Sequence, residues 1–462
     1  MKKMMLLFLS ALFVIGCGKM QSEDQSADLQ LGAGMKSEIV LDSQGGMKYI
    51  RFTSAKAWHV EVGDDASWLE ITPMEGESGD GRVKIQSDMN SSGEKRSCEL
   101  RICSDDKSLN FTVEQDYYEP IFRIPEILWI PLSSEGALVA VPIETNQIFS
   151  VECGADWITH VPSEETYPEY VMFGISPNFD PVPRTAEVRF ESPAGSISVV
   201  IPQDAAGADS MHWVDKSFVH RSLAMRFTAT WCGYCPNMGK AFDSAKSLMG
   251  GSLELVSLHG PESALAFAGT NSLINRFNVS GFPTGIVDGR ASIPNYSSTS
   301  MITSAVADVA NETQTFYPAT SAIACESEFD GTYLSFWVAA YFKKAGSYRV
   351  FALVLEDNIV EDQSGAGSNY VHNDVARTAI TPISGTSVSV SEDNTVWSGA
   401  YSVKVTASNP ENLKILVYVE KSYGDQTLVE NVEEVEYGYY GGQYVDNCRV
   451  VPVGEFVRLE LK

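Results

Sequence analysis

The sequence predicts a multidomain, mostly β protein: two small β-sandwiches, an α/β domain, and a C-terminal β-sandwich of jelly-roll-like type. Three observations carry this reading. A chain of 462 residues is too long for one core, so three or four domains are expected. Residues 30 to 204 hold an internal repeat made of runs that alternate apolar and polar residues. After Gln203 the pattern changes to strands alternating with helices, and after Ala319 strands return alone.

At the N-terminus, Lys2 and Lys3 precede an apolar run from Met4 to Ile15. This is the pattern of a signal peptide, too short to be kept as a membrane span. Val14-Ile15-Gly16-Cys17 resembles the bacterial lipobox, which implies lipidation at Cys17 and loss of the residues before it. The signal then covers 1–17, and the polar stretch 18–30 reads as a flexible tether. No other segment approaches the ~18 apolar residues of a transmembrane helix. The mature protein is expected at the outer membrane, held by lipid, with periplasmic and surface-facing sides both open. A formal charge of −27 argues against nucleic acid or an anionic membrane surface as partner. Eight cysteines in an exported chain permit disulfides. Committing Cys17 to lipid leaves an odd number.

The repeat has fixed landmarks. Ala66-Ser67-Trp68-Leu69, Asn90, Arg96 and Gln115 recur as Ala155-Asp156-Trp157-Ile158, Asn178, Arg184 and Gln203. Short alternating runs between them indicate antiparallel strands of a small sandwich, with copies over 31–117 and 118–205. The landmarks resemble the BACON domain, a Bacteroidetes β-sandwich found on exported proteins. That resemblance implies glycans as a candidate partner without assigning a sugar site. Trp58, Trp68 and Trp157 are expected to fill their own cores, the Asn/Arg pairs to fix turns, and the two modules to act as spacers. Cys98 and Cys103 point to opposite faces of one run and are not expected to bridge. The pairing of Cys153 is open.

From Ser222 the order is strand, helix from Cys235, strand over 253–258, helix over 264–277, a hairpin turning at Asp288-Gly289, and a helix over 301–311. TATWCGYCPNMGK places Cys232 and Cys235 two residues apart at a helix start. A cysteine there has its thiolate stabilised by free backbone N–H groups, and a second thiol can resolve the mixed disulfide that the first one forms. A zinc site needs four ligands, and no second Cys or His pair completes one. Neither a metal nor another cofactor is assigned. WCGYC and Phe282-Pro283-Thr284 together resemble the thioredoxin active site and its cis-proline loop, giving a thioredoxin-like domain over 210–316. The resemblance implies Cys232 as nucleophile, Cys235 as resolver and a cis Pro283 beside them. Trp231, Tyr234, Phe282 and Thr284 would border the substrate chain. The position six before Cys232 holds Arg226, where thioredoxins carry a buried acid. His220 and His259 are candidate proton donors, with a purely structural role as the plainer reading.

The tail, 317–462, is a run of strands broken at Asp330-Gly331, Asn409-Pro410 and Tyr423-Gly424-Asp425. Together with YVHNDVAR, residues 210 to 462 resemble the twenty-eight-kilodalton outer-membrane protein family of Bacteroidetes. His372 and Arg377 are expected in a buried clamp, and Glu356, Asp357, Glu361 and Asp362 in a solvated acidic loop. Cys325 and Cys448, near the first and last strands, form a candidate structural disulfide. Two functions follow. One is thiol–disulfide exchange on thiols or disulfides of exported proteins. The other is a non-catalytic lipoprotein that binds glycans or proteins, with CGYC as a structural disulfide.

Overall fold

A computed structural model describes residues 28–125, 131–207, 210–295, 297–407, 409–423, 432–433, 435–438 and 442–462. The signal segment and Cys17 lie outside these residues. The chain divides into two compact units, one ending at Pro120 and one running from Ile121 to Lys462. Among the described residues no helix is long and apolar enough to cross a membrane.

In the first unit a four-stranded sheet (Leu29–Leu31, Gly45–Ser54, Gly79–Asp88, Leu69–Thr72) and a five-stranded sheet (Glu38–Leu41, Lys107–Gln115, Arg96–Ser104, Trp58–Val62, Glu75–Gly76) share one core. Alternation decides which residues enter it. Cys98, Leu100 and Ile102 point inward from Arg96–Ser104, while Ser97, Glu99 and Arg101 point out. Trp58 is buried and meets Phe52 edge-on, with ring centroids 4.9 Å apart.

The landmarks shared by the two copies form one clasp. Arg96 Nε donates to Gln115 Oε1 at 2.9 Å, and Arg184 Nε to Gln203 Oε1 at 2.7 Å. Each guanidinium covers its tryptophan, Arg96 over Trp68 at 4.5 Å and Arg184 over Trp157 at 4.4 Å. Asn90 Nδ2 donates to the carbonyls of Glu94 and Asp116, as Asn178 Nδ2 does to those of Val182 and Asp204. Buried amides and a capped indole explain the fixed spacing without a ligand.

The second unit is not organised as a spacer followed by free-standing domains. The second copy packs against the sheet Ser321–Phe329, Tyr333–Phe342 and Thr395–Lys404. The fully buried Trp337 fills the joint between Gly136 and Gly174. Glu326 accepts a hydrogen bond from the Leu138 N–H at 2.5 Å. Small residues, Ala322, Ala324 and Ala339, line that outer sheet face and leave room for the contact.

A ten-stranded sheet then crosses the expected boundary at 316/317. Its order is Glu436–Tyr437, Ala291–Ile293, Thr284–Val287, Ser222–Thr228, Leu253–His259, Val375–Ala379, Gly346–Glu356, Leu413–Ser422 and Gln443–Pro452, with Thr386–Val390 also paired to Gly346–Glu356. The joint is a parallel contact in which Ser257 pairs with Val375 and its N–H donates to the Asp374 carbonyl at 2.7 Å. Asp374 takes φ +56°, which turns the chain out of the preceding hairpin into this strand. One face of the sheet is a continuous apolar layer, from Leu223, Met225 and Phe227 to Phe351, Leu353 and Leu416. The opposite face is covered by α1 (Cys235–Met249) and α3 (Thr299–Phe316) at one end, and by the three-stranded sheet at the other. The intervening helix, α2, is shorter than expected, Thr270–Arg276. Ser263 and its neighbours instead form hydrogen-bonded turns.

The tail corrects two expectations. Cys325 and Cys448 are both free, buried thiols. Cys325 faces the core between the two sheets, while Cys448 faces the other side of the ten-stranded sheet and donates to the carbonyls of Arg221 and Ser222. A sheet therefore separates them. Glu356 is no loop residue. It ends a central strand, fully buried, and forms a 3.1 Å ion pair with Arg377. Glu361 and Asp362 belong to a hairpin strand, Ile359–Gln363.

Candidate functional site

The Ser222–Thr228 strand delivers the chain to a turn in which Cys232 N–H donates to the Ala229 carbonyl at 3.1 Å. Cys235 opens α1, with Pro236 after it, where a missing N–H costs nothing. Cys232 and Cys235 form a disulfide, their Cα atoms 5.5 Å apart. Both are buried, at 5% and 2% exposure, whereas Trp231 and Tyr234 are 52% and 77% exposed. Phe282 packs on the pair and on Ala229, and its ring centroid lies 5.7 Å from that of Trp231. The Phe282–Pro283 peptide is cis. Thr284 pairs with Phe227 and donates through its hydroxyl to the Gly281 carbonyl at 2.8 Å. The structure thus gathers Trp231, Cys232, Cys235, Phe282 and Pro283 in one place. Tyr234 projects into solvent at its edge.

One neighbour of the dithiol loop comes from far along the sequence. The hairpin Ile359–Gln363/Gly367–His372 lays its tip across the loop. Gln363 Nε2 donates to the carbonyls of Ala229 (3.2 Å) and Cys232 (2.9 Å), and Ser364 N–H to that of Thr230 (2.8 Å). Gly365, at φ +82°, sits so close that a Cβ there would come within 2.2 Å of the Gly233 oxygen. Only glycine fits that contact and that backbone. The sole sequence signal for it is the turn-forming Ser364-Gly365-Ala366-Gly367.

Beside the loop lies a polar cluster. Arg226 Nη2 donates to Ser257 Oγ at 2.6 Å, and its other nitrogen lies against Gly239, one turn into α1. His259 is fully buried, with Nδ1 2.9 Å from Ser263 Oγ, and Ser263 also bonds Thr230. Its ring is 5.3 Å from that of His372, which is 4.8 Å from Tyr370. Burial, reinforced by the His372 and Arg226 charges, pushes His259 down to about 3. Burial and Arg226 push His372 down to about 4. Both imidazoles are therefore neutral near pH 7. His220 is buried elsewhere in this unit, held neutral by burial, and takes no part in the cluster.

Against known proteins, two family models match parts of the chain. Residues 270–439 match the family Outer membrane protein Omp28. Residues 57–116 and 147–204 match BACON, described as a putative binding domain. No curated protein matches the chain. Among solved structures, HBP35 of Porphyromonas gingivalis is similar over 52% of this chain and 76% of that one, at 16% identity and TM-score 0.43. A Bacteroides ovatus GH5 xyloglucanase is similar over 23% of this chain and 22% of its own, at 18% identity and TM-score 0.18. A chimeric titin Z1Z2 is similar over 38% and 94%, at 11% identity and TM-score 0.23. The Omp28 match points to an outer-membrane location.

Proposed function

We propose that this chain is a lipid-anchored outer-membrane protein whose thioredoxin-like layer exchanges thiols and disulfides with exported proteins. The observation that carries the reading is a Cys-x-x-Cys disulfide at a helix N-terminus, packed against Phe282 of the Phe282-Pro283-Thr284 loop. In the reducing direction the Cys232 thiolate attacks a substrate disulfide and expels one substrate thiolate. Cys235 then attacks Cys232, releases the second thiolate and closes the bond seen here. The substrate gains two electrons and the pair loses two. The oxidising direction runs the same steps backwards from the closed disulfide. Trp231, Phe282 and Thr284 border the approach, with Tyr234 at its rim.

Redox titration of the pair in the mature chain tests this. A potential between about −270 and −120 mV, the span of known oxidoreductases, together with loss of exchange in Cys232→Ser, is the expected result. A potential below about −300 mV marks a structural disulfide.

A cleft favours a second reading, a binding protein. A cavity of about 1130 Å³ opens between the second copy and the three-stranded sheet, bordered by Tyr167, Tyr170, Tyr333 and Glu165. Exposed tyrosines beside carboxylates suit a glycan, through ring stacking and hydroxyl hydrogen bonds. Glycan binding that survives Cys232→Ala and disappears in Tyr167→Ala would select this reading.

A further inference from the structure

The outer face of the five-stranded sheet in the first unit brings three metal-ligating side chains together. His59 and Glu61 alternate outward from Trp58–Val62, and Cys103 lies directly opposite His59 on Arg96–Ser104. The imidazole nitrogen, a carboxylate oxygen and the sulfur all lie within 4.8 Å of one another. His59 Nε2 is 3.6 Å from Glu61 Oε1, while Arg101 approaches the other carboxylate oxygen at 3.7 Å.

The second copy supplies an internal control. Counting from Arg96 and Arg184, its equivalent rungs place Ser150 opposite Glu191 and Glu152 opposite Arg189. The Glu–Arg rung therefore belongs to the scaffold, as Glu61–Arg101 and Glu152–Arg189. The His–Cys rung is peculiar to the first copy. A cysteine is also out of character there, because the other outward residues of its strand are Ser97, Glu99 and Arg101.

We propose that His59, Glu61 and Cys103 bind a divalent cation of the zinc class. A thiolate, an imidazole and a carboxylate form a borderline-soft donor set that suits zinc. Around a tetrahedral zinc the ligand atoms stand about 3.3–3.8 Å apart, from bonds of about 2.0–2.3 Å. Rotation of the exposed His59 and Glu61 side chains closes the difference. The Cys103 proton leaves to solvent on binding, and the fourth position is left to water. Glu75, the register neighbour of His59 on its other side, is the nearest protein alternative along that row. This site is independent of the exchange reading, since it lies in the other unit.

Cobalt(II) is the probe, added to the metal-stripped full chain with Cys232–Cys235 left oxidised. One equivalent should give a thiolate-to-cobalt charge-transfer band that zinc bleaches. Cys103→Ser should abolish the band. His59→Gln, at an exposed position, should leave the fold intact and weaken binding about tenfold or more. Absence of the band in the unmodified chain, or a band unchanged in Cys103→Ser and His59→Gln, overturns the site.

Discussion

His259 and His372 show how much chemistry one buried ring contact can hold. Neither Nε2 has a hydrogen-bond partner among the described residues, so the charge brought by a second proton on either ring would be buried and uncompensated. Both pKa values are depressed in the folded chain, and an unfolded histidine titrates near 6.5. As pH falls through 6.5, the unfolded state takes up protons that the folded state refuses, and stability is lost down to about pH 4. His220 adds to this. Asp288, raised by burial to about 6, works in the opposite sense. Burial also lowers His160 and raises Asp243, Glu326 and Glu420, so the histidine contribution is read as a difference between two proteins. In denaturant unfolding, the midpoint of His259→Gln relative to the parent chain should rise between pH 7 and pH 5. The sequence made the cysteines and Pro283 readable because their motif is local. It could not show that His372, more than a hundred residues from His259, completes the same cluster. Nor could it show that Arg226 would bond Ser257 where an acid was the usual resident.

The same limit of local information applies to elements. The strand and helix order from Ser222 was readable from periodicity, as was the Asp288-Gly289 turn, both of whose residues take positive φ. The Gln363–Gly365 tip was not, because it reaches Cys232 across 131 residues of sequence. It covers the loop with two side-chain hydrogen bonds to main-chain carbonyls and one main-chain bond. Losing such a bond costs about 0.5–1.5 kcal/mol net. Gln363→Ala should therefore make the reduced Cys232 react about two- to tenfold faster with an alkylating reagent. Gly365→Ala, which cannot keep its contact with Gly233, should do at least as much. Equal rates in all three proteins would mean that the hairpin does not control access. The acidic run before the tip was misread for a related reason. Glu356 looks solvated in sequence, yet its Arg377 partner stands on the adjacent strand of the sheet and lets it be buried.

At the scale of the molecule, the two halves of the second unit are bound by charge as well as by sheet. Arg276 at the end of α2 forms a 2.8 Å ion pair with the fully buried Glu420, in the strand Leu413–Ser422. Arg276→Ala strands that carboxylate, and should cost about 3–5 kcal/mol in an unfolding measurement. A chain cut after residue 316 loses Glu420 and Val375–Ala379 together. It bares the edge of Leu253–His259 and the apolar face from Leu223 to Phe227, and should be recovered insoluble or aggregated. A soluble, cooperatively folded fragment would show that the sheet tolerates division. The joint at Ser257 and Val375 bears also on descent. A recombination event that exchanged residues 210–316 as a cassette would leave a tail without its sheet and a sheet without its edge. The two parts should pass between genomes as one heritable piece. The Omp28 match, from Thr270 to residue 439, crosses the 316/317 boundary and holds Val375, although it starts after the strand that carries Ser257.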